Sequence, residues 1–143
     1  MTPAESRVRA SFARQRLMQT IRAELVRVAP GEVEIAAPFD EALTQQHGYL
    51  HAAVVTALAD SACGYAALSQ MAPDREVLSV EFKINLVAPA AGARFVAVGR
   101  TLRAGRTLTV CAADVHGEGP DGRTLVAVLQ ATMIAVPAAP PPG

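Results

Sequence analysis

The sequence predicts an α+β domain in which an antiparallel β-sheet wraps around one long central helix. Three observations carry that expectation. Residues 52–70 form an apolar run of Ala, Val and Leu without internal proline, closed by Ala72-Pro73-Asp74. Residues 77–136 then read as four segments that alternate apolar and polar side chains between Gly- and Pro-rich turns. A shorter alternating pair, 21–28 and 33–36, precedes the helix and is split by Ala29-Pro30-Gly31-Glu32, which is turn chemistry.

In chain order, residues 5–15 have helical spacing, with Glu5 and Ser6 in the first turn and Val8 and Phe12 on one face. Arg7, Arg9, Arg14 and Arg16 on this segment suit a solvated surface better than an anion-binding face. The hairpin follows, then Pro38-Phe39-Asp40 and a polar connection over residues 40–46. After the long helix come strands 77–87, 95–103, 106–115 and 124–136. They are separated by the 88–92 segment, the Ala104-Gly105 turn and a loop at 117–122. In the first of these, Val77, Ser79, Glu81, Lys83 and Asn85 share one parity. One domain is expected over residues 1–136, with 1–19 as an N-terminal helical segment and 137–143 as a disordered Pro/Ala tail. A sheet of this size leaves edges exposed, so association with a second copy is expected.

Composition narrows the function classes. The 143 residues are 51% hydrophobic, enough for a real core, and carry zero formal charge at a pI near 6.8. No broad field draws the chain to nucleic acid or to an anionic membrane. The two cysteines, Cys63 and Cys111, lack metal-ligand spacing, and the first residues lack a signal-peptide core, so a cytoplasmic setting is expected. The 52–70 run does not suit a membrane, because a central Asp costs about 2.5–3.5 kcal/mol on insertion scales.

That Asp is Asp60, a lone carboxylate inside an apolar helix, where an uncompensated charge is expensive. A loop carrying His47 and His51 leads directly into the same helix. The plain alternative makes Asp60 a satisfied carboxylate on a small polar stripe with Thr56 and Gly64. A metal held by His47, His51 and Asp60 lacks any supporting pattern, and no metal is expected. Cys63 has no evident activating partner, and Ser61 sits about 100° round the helix from Asp60.

The stretches Gln45-Gln46-His47-Gly48-Tyr49-Leu50-His51-Ala52-Ala53, Ala59-Asp60, Ser79-Val80-Glu81-Phe82, Pro89-Ala90 and Ala104-Gly105-Arg106-Thr107-Leu108 carry a family likeness. With the helix Asp nine positions after His51, the chain resembles the hotdog fold. More narrowly, it resembles the PaaI-like acyl-CoA thioesterases of the 4-hydroxybenzoyl-CoA thioesterase superfamily. The resemblance spans roughly residues 20–135.

It implies hydrolysis of a small, medium or aryl acyl-CoA, with coenzyme A present only as part of the substrate and no other cofactor. Asp60 would be general base or nucleophile, and the backbone N–H of Ala52 the oxyanion donor. Gln45 would orient the carbonyl or the water, His51 would fix the loop by hydrogen bonding, and Ser79 would steady the water or leaving group. Substrate contacts would come from His47, Gly48, Leu50 and Phe82, with Tyr65 and Leu68 also candidates for the cleft lining. Arg103 and Arg106 bracket a turn and could meet coenzyme A phosphates, although a solvated turn explains them too. Sites in the family lie across a dimer interface, so a homodimer, or a tetramer of such dimers, is implied. The chain departs from many relatives at Ala52-Ala53, where they carry Gly-Gly. Alanine keeps the N–H but narrows the mouth, and it would be strained if a positive φ were needed. The fold also hosts hydratases and non-catalytic binders of acyl-CoA or acyl-carrier protein, and these remain the alternatives.

Overall fold

The computed structural model describes residues 1–139. Six antiparallel strands form one sheet in the order β1-β2-β4-β5-β6-β3, where β1 is Glu24–Ala29, β2 Glu32–Pro38, β3 Arg75–Leu86, β4 Arg94–Ala104, β5 Leu108–Gly119 and β6 Gly122–Pro137. The long helix, α3 (Ala52–Leu68), carries the chain from β2 to the far edge strand β3. The α+β architecture expected from the sequence is therefore present, with the sheet curving round one helix.

Small residues let α3 sit close to the sheet. Ala59, Ala62 and Ala66 are fully buried, and a Cβ on Gly99 of β4 would stand 2.3 Å from the Ala62 carbonyl carbon. Any side chain at 99 would push helix and strand apart. Around this contact Leu58, Leu68, Ile35, Phe95, Val115 and Met133 fill the core, each removed from water. Burial of such side chains contributes about 1.5–3 kcal/mol apiece.

The N-terminal segment begins earlier than its periodicity indicates. Thr2 accepts a hydrogen bond from the Glu5 N–H at 3.1 Å and Pro3 opens the first turn, so α1 spans Pro3–Arg14. A second short helix, α2 (Arg16–Thr20), occupies residues just before the expected hairpin. Met18 and Ile21, three apart, share the buried side there, and Arg22 reverses the chain at φ +56°. The first strand therefore starts at Glu24 rather than at 21. The arginines of α1 find partners inside the chain. The Arg7 guanidinium donates to the carbonyls of Leu68, Met71 and Ala72 at 2.5–2.8 Å, satisfying the C-terminal end of α3. Arg9 pairs with Glu5.

Three further boundaries move. The expected loop at 117–122 shrinks to a tight turn at Pro120-Asp121, because β5 stays paired through Gly119. The Ala91 carbonyl lies 2.4 Å from where a Gly117 Cβ would stand, so that glycine serves a close crossing and not a loop. At the other end Pro137 still pairs with Arg75, and the Ala138 N–H bonds to the Asp74 carbonyl, so the expected tail does not start at 137. Its last residues, 140–143, lie outside the described residues. Finally, a bulge at Val80 breaks the parity read along β3. Ser79 pairs with Met133 on the helix-facing side. Beyond the bulge Phe82 and Ile84 take that side, while Glu81, Lys83 and Asn85 move to the opposite face.

Candidate active site

Two clefts flank α3, and the four catalytic candidates divide between them, Gln45 and Ala52 in one and Asp60 and Ser79 in the other. The first lies at the helix N-terminus. Gln45, His47, Tyr49, Leu50 and Ala52 line it together with residues 86–90 of the β3–β4 connection, around a cavity of about 470 Å³. The loop is held by its own polar groups. The Gln45 side-chain oxygen accepts from the N–H of His47 at 2.5 Å and of Tyr49 at 3.4 Å. Only a carbonyl oxygen accepts such bonds, so the Gln45 NH2 group is left as a donor. Gly48 makes the turn at φ +83° and stands outside the cleft lining. Buried Leu50 is tied to the β3–β4 connection through its N–H to the Ala90 carbonyl, 3.1 Å.

His51 caps α3. Its Nδ1 accepts from the Ala53 N–H at 2.8 Å, and its carbonyl takes the N–H groups of Val54 and Val55. Accepting at Nδ1 requires the neutral imidazole with its proton on Nε2. The N–H of Ala52 has no acceptor among the described residues, and it lies where the helix dipole concentrates positive potential. Neither Ala52 nor Ala53 has a positive φ, so alanine in place of Gly-Gly is unstrained.

The second cleft holds the carboxylate. Asp60 is half-buried and accepts a 2.7 Å hydrogen bond from the Ser79 hydroxyl across the gap from α3 to β3. Ser11, Gln15, Ser61, Gly64, Tyr65 and Glu76 complete the walls around about 180 Å³. Gln15 occupies the one-residue break between α1 and α2 and spans α3 from there. Its amide donates to the Tyr65 hydroxyl at 2.9 Å and accepts from Ser61 at 3.1 Å.

Asp60 and Ala52 stand eight residues apart on one helix, which at 1.5 Å per residue is about 12 Å along its axis. One carbonyl cannot touch both within a single chain. Of the remaining sequence-derived candidates, Phe82 and Arg106 line neither cleft. Phe82 is 44% exposed on the edge strand, and Arg106 is exposed in the β4–β5 turn. Leu68 faces the core, fully buried. Tyr65 does line the Asp60 cleft, where it joins Ser11 of α1 and Gln15 of the break after it, residues the strand-and-helix pattern gave no reason to select. Leu86, Val87 and Ala88 were equally silent, since they read only as strand end and turn, while Pro89-Ala90 entered through the family likeness without a role at the site.

Cys63 is no nucleophile. Its hydrogen bond with Cys111 and its burial push the thiol far above the ordinary range, so it stays protonated. Among the described residues no group of three His, Cys, Asp or Glu side chains is placed to hold a metal ion, and no helix is long and apolar enough to cross a membrane.

Comparison with known proteins is consistent over the whole fold. A family described as the thioesterase superfamily matches residues 47–123, more than half of the chain. A thioesterase family protein from Silicibacter pomeroyi is 44% identical, with a TM-score of 0.93 over 94% of this chain and 99% of that one. A conserved protein from Pseudomonas aeruginosa, PA5202, is 28% identical over 84% of this chain and 93% of its own, with a TM-score of 0.76. The E. coli PaaI protein from the phenylacetic acid degradation operon shares the fold at a TM-score of 0.84 and 14% identity, covering 95% of each chain. No curated protein matches. With more than half of its length matched by the family and a near relative aligned almost end to end, the chain belongs to the thioesterase superfamily, and it is a thioester hydrolase of the hotdog fold.

Proposed function

We propose that this chain hydrolyses acyl-CoA thioesters at sites shared between two copies, each copy supplying one half. The observation that carries the proposal is the division of the chemistry. An acid with its hydroxyl partner lies in one cleft, unpaired N–H donors lie in the other, and about 12 Å of helix separates them. Bringing one copy's Asp60 and Ser79 against the partner's Ala52 and Gln45 puts a base on one side of a thioester carbonyl and donors on the other.

The chemistry asks for that arrangement. A thiolate leaves readily, so the barrier lies in attack on the carbonyl and in the charge that develops on its oxygen. The Ala52 N–H at the helix N-terminus and the Gln45 NH2 group stabilise that charge. Asp60 takes the proton of an attacking water or attacks directly, and Ser79 holds the carboxylate in place. The edge strand β3 supplies a means of association. It is twelve residues long and unpaired along one side, and it exposes Leu78 and Val80 at 59% and 55%. Pairing two such edges would cover them.

Nothing specific favours a hydratase. His51 already uses Nδ1 in capping the helix. Thiol release from a panel of acyl-CoAs tests the proposal. Short and aryl acyl-CoAs should release free thiol. Binding without release would instead make the chain a non-catalytic acyl-CoA binder.

A further inference from the structure

We infer that the open edge of β3 recognises a second copy of this chain in one register, centred on Phe82, in which Glu81 and Lys83 of the two copies form crossed ion pairs. The inference rests on the two-copy site proposed above and deepens it by naming the residues that select the partner.

Along β3, Leu78 through Lys83 are exposed in unbroken succession, whereas β5 alternates with the pleat. Leu78, Val80 and Phe82 make this run apolar as well as open. An exposed apolar strip on an unpaired edge is an association surface. Two charges interrupt it. Glu81 and Lys83 stand two positions apart on the face turned away from α3, and Lys83 is the only lysine of the chain. On that same face Asp114 pairs with Arg100. Among the described residues neither Glu81 nor Lys83 forms an ion pair.

Symmetry then limits the register. Two copies of one strand, paired antiparallel about a two-fold axis, are centred on a residue that meets its own counterpart. A centre at Glu81 or at Lys83 sets like charges against each other, which destabilises the pair. A centre at Phe82 sets Glu81 opposite the partner's Lys83 and Lys83 opposite the partner's Glu81. The two Phe82 rings meet on the helix side, and Ile84 meets the partner's bulged Val80, apolar against apolar. A foreign strand without this charge order would not satisfy both pairs.

The same register assembles the site. On the helix side Ser79, bonded to Asp60, comes beside the partner's Ile84. Leu86 lies two residues further along the strand, about 7 Å, and it lines the cleft of Ala52 and Gln45. One copy's acid is thereby brought alongside the partner's N–H donors.

Charge exchange tests the pairing. Glu81→Lys and Lys83→Glu should each raise the dimer dissociation constant about tenfold or more, because each turns both crossed pairs repulsive. Sedimentation over a dilution series reads this, and thiol release from an acyl-CoA that the unaltered chain hydrolyses should fall in step. An equimolar mixture of the two variants should regain association and activity, since both crossed pairs are again of opposite sign, and so should the chain carrying both substitutions. Phe82→Cys gives a direct reading of the centre. Opposed residues lie about 4.5–5.5 Å apart between Cα atoms, within disulfide reach, so oxidised glutathione should link this variant into a covalent dimer. Asn85→Cys, about 20 Å from its own counterpart in this register, should stay unlinked, and the native Cys63 and Cys111 are buried. Folded single variants that associate like the unaltered chain, a mixture no better than its components, or linking through Asn85→Cys instead of Phe82→Cys overturns the register while leaving the two-copy site standing. A fully active monomer overturns both.

Discussion

Ser79 and Asp60 are joined by a 2.7 Å hydrogen bond that ties the edge strand β3 to the one acid of helix α3. The bond forms immediately before the bulge at Val80. Ser79 lies just before it, on the helix-facing side of the strand, and the polar residues beyond it, Glu81 and Lys83, have moved to the other face. Replacing Asp60 by Asn keeps the shape and removes the base, so kcat should fall by about 10²–10⁴-fold with an unchanged circular dichroism spectrum. Ser79→Ala deletes one charge-assisted bond worth about 1.5–3 kcal/mol. Steady-state kinetics should show a smaller loss than for Asp60→Asn, of tenfold or more.

His51 should prove a stability residue as much as a site residue. Its Nδ1 caps the Ala53 N–H, and loss of an N-cap costs about 1 kcal/mol. His51→Ala should lower Tm by about 2–4 °C. His51→Asn, which caps equally well, should restore it. Thermal denaturation of the two variants separates capping from chemistry.

Gly99 fixes how closely the helix approaches the sheet. A methyl there would overlap the Ala62 carbonyl and the Cys63 nitrogen, at 2.3–2.6 Å. Gly99→Ala should destabilise by about 1–3 kcal/mol, read from the urea midpoint. Because α3 carries Ala52 and Asp60 together, activity should fall with it.

Much of this was legible before any coordinates. Period-2 alternation and an uninterrupted apolar run give a six-stranded antiparallel sheet and its helix, because those patterns record which faces are buried. Asp60 announced itself by breaking such a run. What alternation conceals is irregularity. The Val80 bulge reverses the parity of β3, Gly117 imitates a loop residue although it lies inside a strand, and Ile21, which caps the short helix α2, reads as the start of the strand that begins only at Glu24. Gln15 illustrates the same limit at the site. It reaches Tyr65 and Ser61 across about fifty residues of sequence, and no local pattern encodes a contact of that range.

Complementation between two inactive variants tests most directly whether each site draws on two copies. Asp60→Asn leaves the Gln45 half intact, and Gln45→Ala leaves the Asp60 half intact. Unfolded together and refolded as a mixture, random pairing puts half of the dimers in the mixed state with one whole site each. Recovery of about a quarter of wild-type activity is the predicted result. A mixture no more active than its two components would contradict a site built from both chains.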